Sequence, residues 1–516
     1  METPLILLME PLSKNIGMYV PAYPLPLVEI ASYVKRLYPE SRIRILSLPV
    51  DYGLPLTREG KELIYDEVLR DLDGLNPACI GISCTAIAQA QEVIDLCDRI
   101  KEADPDAFLF VGGYFPTLYY EEMLSRTSSI DLVVRGEGEI PLAGIVKAFE
   151  RGRDPRKDDI PNLVWKEEGK LLFSKDLVRF DPKKKPPLDP SPLKSLSDYD
   201  LLPYAFSRGC TFRCTFCMES YMRPGWREVP EKVVKEDLAM LSRESRARMI
   251  LVSDALFKSI DLLPFVQSLG MKVNFETRGD VMDPSAFPKI AGACGSLAIG
   301  LESASFDTLK RMNKVRNREH YEHYINNTRA IFRQAAEHEI PIMVFMIAGF
   351  PGDGEEDLEE TLRFAEELAE YGGPGGHVFK IGECRVYPKT RLHQLASSMS
   401  DVIFDDQGVF GDNVVRRPSR GLDFDKVLSY MQKIYQLSRI TPLLQESLWT
   451  LMPFFRFPPE VFADETVPGS CFRDKGRTVL RAKMESLSEF RRIAPALAGK
   501  YEGLMSGPRS TRNLPL

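Results

Sequence analysis

Three cysteines, Cys210, Cys214 and Cys217, fall within RGCTFRCTFC, separated by three and then two residues. Three thiolates on one short loop can each hold a corner of a cubic iron–sulfur cluster, and three leave one iron open. An open iron can take the amino and carboxylate groups of a cofactor, which a four-cysteine electron carrier cannot offer. Zinc competes for clustered cysteines but favours four closed Cys or His ligands. No fourth partner follows at zinc-finger spacing, and the first histidine of the chain is His320.

The elements that must position this loop form a βα series over residues 201–390. YAFSRGC, RMILVSDA, KVNFETRG, SLAIGLES, PIMVFMIAGF and HVFKIGECRVYP read as six strands, with a helical pattern after most of them. That rhythm predicts an open barrel of parallel strands, whose chemistry collects at the carboxyl ends. There lie Asp254, Arg278, Glu302, Ser303 and the AGFPGD turn at 348–353, which includes Gly349. Either Asp254 or Glu302 alone could equally cap the following helix. Together the group rings one barrel mouth.

Residues 1–150 carry a second α/β series, with LILLMEP, RIRILSLP, ACIGISC, AFLFVGG and LVVRG as strands of a doubly wound parallel sheet. Its strand-end loops are SCTA at 83–86, VGGYFPT at 111–117 and RGEGE at 135–139. Glycines there let a flat or anionic ligand approach the backbone. None matches GxGxxG after the first strand, so a nicotinamide cofactor is not expected. Residues 151–200, proline-rich and with the basic run 183–185, read as a linker holding a small hairpin around Gly169. Residues 391–516 read as a helical region, with Phe454, Phe455 and Phe457 as core or pocket lining.

The length of 516 residues exceeds what one core usually supports, so two or three domains are expected. A net charge of −7 gives no general attraction to phosphate backbones, and a nucleic-acid partner is not expected. The apolar runs are too short to cross a bilayer, and Glu2 and Glu10 spoil a signal peptide, which predicts a soluble, cytoplasmic protein. The odd cysteine count of nine, with one tight group, suits a metal site in a reducing compartment. Cys79, Cys84, Cys97 and Cys294 read as packing thiols, and Cys384, Cys471, Tyr387 and His377 are weak candidates for a chemical role.

CTFRCTFC resembles the CxxxCxΦC signature of the radical S-adenosylmethionine (SAM) superfamily, with Phe216 in the aromatic position. The resemblance spans residues 200 to about 390 and implies that Cys210, Cys214 and Cys217 hold a 4Fe–4S cluster. The cluster of that family reduces SAM to release a 5′-deoxyadenosyl radical. It further implies that Phe216, Asp254, Arg278, Glu302, Ser303 and Gly349 surround SAM, Arg278 resembling a strand-three arginine suited to pairing with a carboxylate. The family's GGE after strand two is absent, and SDAL stands at 253–256.

The amino-terminal loops, with PLPLVEIASYVKRL at 24–37, resemble the cobalamin-binding domain fused ahead of many radical SAM enzymes. That implies cobalamin contacts from Ser83, Thr85, Gly112, Gly113, Gly136 and Glu137, with no lower axial histidine from these loops. The combined architecture is similar to class B radical SAM methyltransferases, in which one SAM methylates the cobalamin and a second generates the substrate radical. It implies methylation of an unactivated carbon in a small-molecule, lipid or peptide substrate, with an electron donor such as flavodoxin or ferredoxin. Radical cyclisation or rearrangement, a domain without cobalamin, and a tRNA methylthiotransferase are the rival enzyme readings; a cobalamin or iron–sulfur carrier is the non-enzymatic one.

Overall fold

The computed structural model describes residues 3–12, 22–53, 58–174, 177–199, 201–411, 413–439, 441 and 444. The described chain divides into two compact units, residues 3–203 with 227–247, and residues 204–226 with 248–444.

In the first unit, β1 (Leu5–Glu10), β2 (Arg42–Ser47), β3 (Cys79–Ser83), β4 (Leu109–Gly112) and β5 (Leu132–Val134) run parallel. Their order, β2-β1-β3-β4-β5, is a doubly wound arrangement whose strand order reverses between β1 and β3. Ile6, Leu7, Leu8 and Met9 are buried on successive positions, as a strand covered on both faces requires. The sheet is wider than expected. The hairpin β6 (Leu163–Glu167) and β7 (Lys170–Phe173) turns through Glu168 and Gly169, both at positive φ, and adds antiparallel to the open edge of β5. Residues 151–199 therefore pack within this unit. Their basic run is also divided, since Lys183 and Lys184 are exposed whereas Lys185 is buried.

In the second unit, β8 (Leu202–Tyr204) opens a six-stranded sheet. The two-residue strand β9 (Ser207–Arg208) lies outside it, and β10 (Arg227–Glu228) belongs to the first unit. The sheet continues with β11 (Met249–Val252), β12 (Lys272–Thr277), β13 (Cys294–Glu302), β14 (Ile342–Ala348) and β15 (His377–Glu383), in sequential order and parallel from β11 onward. Phe332 of the helix Arg318–Glu337 stacks on Phe379, with centroids 6.2 Å apart, so that face of β15 meets the outer helices. Ala298, Met343 and Val378 face the other way and pack with Leu444 inside the barrel.

Beyond the last strand come the helix Arg391–Ser398, the hairpin Ile403–Phe404 with Val415–Arg417, and the helix Phe424–Gln436. Cys471 and the aromatic stretch at Phe454, Phe455 and Phe457 lie outside the described residues. No helix among the described residues is long and apolar enough to cross a membrane.

Candidate active site

The cysteine loop leaves β9 through Gly209, whose φ is +80° and whose imagined Cβ would lie 2.3 Å from the Gly225 carbonyl oxygen. Only glycine tolerates both conditions. Cys210 donates its N–H to the Arg223 carbonyl (3.4 Å) and accepts from the Gly225 N–H (3.0 Å). On the far side Thr215 donates to the Met312 carbonyl (3.0 Å), and Asn313 Nδ2 donates to the Arg213 carbonyl (2.8 Å). The loop is thus pinned from both ends. Cys214 is buried, Cys210 and Cys217 are half-buried, and none forms a disulfide. Burial pushes the Cys210 thiol up, so its thiolate needs a positive partner such as iron. Among the described residues no three His, Cys, Asp or Glu side chains converge on a single ion. A cluster asks for no such convergence, because each cysteine binds its own iron. Gly209→Ala is expected to shift the loop and lower the iron retained after anaerobic reconstitution by at least about half.

Arg278 follows β12 and reaches this loop. Its Nη1 donates to Cys214 Sγ (3.3 Å), while Nε and Nη2 fork onto Asp280 (2.8 and 3.0 Å). Nη2 also donates to the Lys314 carbonyl (2.9 Å), and the guanidinium stacks 3.7 Å from the Phe212 ring centroid. Burial disfavours this cation, but its hydrogen bonds to Asp280, together with the negative charge nearby, more than offset it and raise the Arg278 pKa. Asp280 in turn meets His320 Nε2 at 3.0 Å. Arg278 was expected to pair with a cofactor carboxylate, whereas the structure engages it with Asp280 and a cluster-loop sulfur.

The other strand-end residues are also held by protein partners. Glu302 sits at positive φ (67°), where the β13–β14 register shifts, and pairs with Lys314 Nζ at 3.0 Å. Ser303 Oγ bonds Thr361 Oγ1 (2.9 Å) and accepts from the Ser305 N–H (3.1 Å). Gly349, at φ +72°, lies against Pro418 and Val427. Asp353 ties its turn together, accepting from the Phe350 N–H (2.8 Å), Thr308 Oγ1 (2.6 Å) and Arg311 Nη2 (2.6 Å). Phe216 is half-buried.

Asp254 accepts from the Phe206 N–H (2.7 Å) and Ser207 Oγ (2.5 Å), just ahead of the cysteine loop. Burial, only partly opposed by these bonds, pushes its pKa up from 3.8 to about 7. The folded chain then holds a proton that the unfolded chain has lost, so stability is greatest below about pH 4 and falls as pH rises through about 7. The loss from this group is at most about 4 kcal/mol. Asp254→Asn is expected to flatten that fall in urea unfolding of the barrel between pH 4 and 7; an unchanged slope would contradict the assignment.

In the first unit, Ser83 and Gly112 are level at the strand ends. Gly113 takes φ +114°, and a Cβ there would lie 2.5 Å from the Cys84 carbonyl oxygen. Thr117 Oγ1 donates to the Gly113 carbonyl (2.6 Å) and accepts from the Gly136 N–H (2.9 Å), tying two glycine loops together. This edge fits a flat ligand lying on backbone. Two side chains expected to touch that ligand have other partners. The Glu137 carboxylate accepts from Arg227 (2.8 and 3.0 Å) and the Phe180 N–H (2.9 Å), and Thr85 bonds Gln89 through its hydroxyl (2.9 Å).

Cys84 and Cys384 are buried packing thiols, and His377 is buried with Nε2 on the Leu437 carbonyl (2.9 Å). The Tyr387 carbonyl accepts from the Thr390 N–H (3.3 Å). Asp280, Lys314, His320 and Thr117 are the site residues that sequence reasoning did not single out. Asp280, two residues from Arg278 in TRGD, was the available signal.

Residues 204–365 match the radical SAM superfamily model, and residues 23–146 match the B12 binding domain model. The chain is 28% identical over 404 residues to an uncharacterized methyltransferase of Pyrococcus horikoshii, covering 72% of this chain and 78% of that one. It is 28% identical over 239 residues to the hopanoid C-3 methylase of Methylococcus capsulatus, covering 42% and 43%. Similarity also reaches the anaerobic magnesium-protoporphyrin IX monomethyl ester cyclase of Rubrivivax gelatinosus, at 26% identity over 59% of this chain and 57% of that one. The structure of the radical SAM methyltransferase TsrM from Kitasatospora setae, with cobalamin and a 4Fe–4S cluster bound, shares the fold. It aligns with a TM-score of 0.62 at 14% identity, covering 97% of this chain and 99% of that one. The two matched domains define the cofactors of the enzyme as SAM with a 4Fe–4S cluster, and cobalamin. The chain belongs to the radical SAM superfamily, as an enzyme with a B12-binding domain ahead of its radical SAM domain.

Proposed function

We propose that this enzyme transfers a methyl group to an unactivated carbon of its substrate. The observation that carries the reading is a loop of three thiols, which leaves one iron open, in a chain that also holds a B12-binding domain. When bound, the cluster and SAM supply a hydrogen-abstracting radical and cobalamin supplies the methyl group.

The chain's own residues hold and orient these groups. Cys210, Cys214 and Cys217 are the cluster ligands in this reading, and Arg278 steadies the Cys214 sulfur by donating to it. Phe216, Asp254, Glu302, Ser303 and Gly349 shape the SAM end of the barrel, mostly through backbone set by their side-chain bonds. Gly112, Gly113 and Gly136, with Ser83 and Thr117, present the backbone edge for cobalamin, and Thr85 and Glu137 stabilise that edge from behind. Functionally, we divide the chain into a cobalamin part (1–150), a connecting part (151–200), a radical part (201–390) and a remainder (391–516). An oxygen-sensitive cluster and described thiols free of disulfides suit a reducing cytoplasm, with flavodoxin or ferredoxin as electron donor.

The test is product stoichiometry from SAM under anaerobic, reducing conditions. Methyl transfer yields S-adenosylhomocysteine and 5′-deoxyadenosine in a ratio of about one to one. 5′-Deoxyadenosine alone, in sustained turnover, would favour a cyclase or other non-methylating radical reaction.

A further inference from the structure

The cation that reaches the cysteine loop is itself held by a chain of groups leading away from it. Nη1 of Arg278 donates to Cys214 Sγ (3.3 Å), Nε and Nη2 fork onto Asp280 (2.8 and 3.0 Å), and Nη2 also donates to the Lys314 carbonyl (2.9 Å). A bidentate fork fixes the plane of a guanidinium, and this plane aims Nη1 at the sulfur. Phe212, a residue of the loop, covers one face of that plane. Asp280 is held in turn. Its Oδ2 lies 3.0 Å from His320 Nε2, while His320 Nδ1 accepts from the Arg316 N–H (3.3 Å), so the ring carries its proton on Nε2 and donates it to Asp280. His320 is fixed at the start of the helix Arg318–Glu337, where its own N–H donates to the Asn317 side chain (2.9 Å).

Side-chain exposures of 8% for Arg278 and 5% for Asp280 keep water from competing for these bonds, and His320, at 18%, is the solvent end of the chain. Burial opposes the Asp280 charge, but the Arg278 and His320 bonds hold its carboxyl below its ordinary value, so the fork keeps its anion. A hydrogen bond to a cluster thiolate stabilises the reduced, more negative cluster more than the oxidised one, and so raises the reduction potential. We propose that Asp280 and His320 are positioning residues for the cluster: they fix Arg278 so that Nη1 donates to Cys214 Sγ, and thereby ease the one-electron reduction that precedes SAM cleavage. This rests on Cys214 being a cluster ligand. Charge alone predicts the opposite sign for Asp280, because an anion near the cluster lowers its potential and removal of that anion raises it.

The test is a redox titration of the cluster- and cobalamin-loaded enzyme without SAM, followed by the electron paramagnetic resonance of the reduced cluster. In Arg278→Met the reduced-to-oxidised ratio at the wild-type midpoint is expected to fall about tenfold, a shift of about 59 mV for one electron. Asp280→Ala should fall by a similar factor and His320→Leu by about threefold, whereas His320→Gln, whose amide can replace the Nε2 donor, should restore the wild-type value. The double variant Arg278→Met/Asp280→Ala should lie no lower than Arg278→Met alone, since Asp280 acts through the arginine. Iron content of about four per chain verifies each cluster, and His320→Leu, farthest from the loop, carries the comparison should Asp280→Ala retain less. A rise in Asp280→Ala, wild-type values in both Asp280→Ala and His320→Leu, or a double variant below Arg278→Met would overturn the proposal. Full iron retention with an unchanged cluster in Cys214→Ala would overturn the ligand assignment, and the proposal with it.

Discussion

Changing Cys210, Cys214 or Cys217 singly to alanine is expected to abolish SAM cleavage, by about a thousandfold or more, and to bleach the cluster absorption with it. The size of the effect follows from ligand count. Three thiolates are the minimum that leaves one iron open, and two leave a second iron exposed and the cluster labile. The loop is fixed independently by bonds of Thr215, Asn313 and the Cys210 backbone, so the variants should keep their fold and their melting transition. Arg278→Met makes the graded counterpart. It removes the donor to Cys214 Sγ while leaving all three thiols, and should retain iron with altered cluster reduction.

Asp237→Ala is expected to destabilise the first unit by about 3–5 kcal/mol, the largest stability effect anticipated for an exchange away from the cluster. Asp237 Oδ2 meets Lys185 Nζ at 2.6 Å, with side-chain exposures of 0% and 2%, and Oδ1 accepts from the Leu188 N–H at 2.7 Å. Removing the carboxylate takes away the 2.6 Å partner of a buried ammonium and leaves Glu29 Oε1 at 3.8 Å. Urea unfolding followed by hydrogen exchange in residues 3–203 measures the loss. Asp237→Asn, able to keep the Leu188 bond, should lose less than the alanine variant, and equal losses would show that charge alone matters.

The two α/β series and the cysteine loop were legible because their signals are local. Apolar runs on successive residues mark covered parallel strands, and three thiols within eight residues mark a cluster loop. Partners in space were not legible. Nothing in RGEGE shows that Glu137 clamps Arg227, ninety residues on, and nothing in ETRGD shows that Arg278 reaches Cys214. A basic run such as 183–185 reads as solvated until Asp237 is found beside Lys185. The hairpin around Gly169 was readable from its turn, but its addition to β5 depends on an open edge that only the assembled sheet presents.

The most direct measurement is metal content and absorption after anaerobic reconstitution with iron, sulfide and hydroxocobalamin, followed by removal of unbound cofactor. About four irons and about one cobalt per chain are expected, with iron lost in the triple cysteine-to-alanine variant and cobalt kept. An intact cluster with no retained cobalt would contradict it, leaving radical SAM chemistry without a cobalamin-borne methyl group.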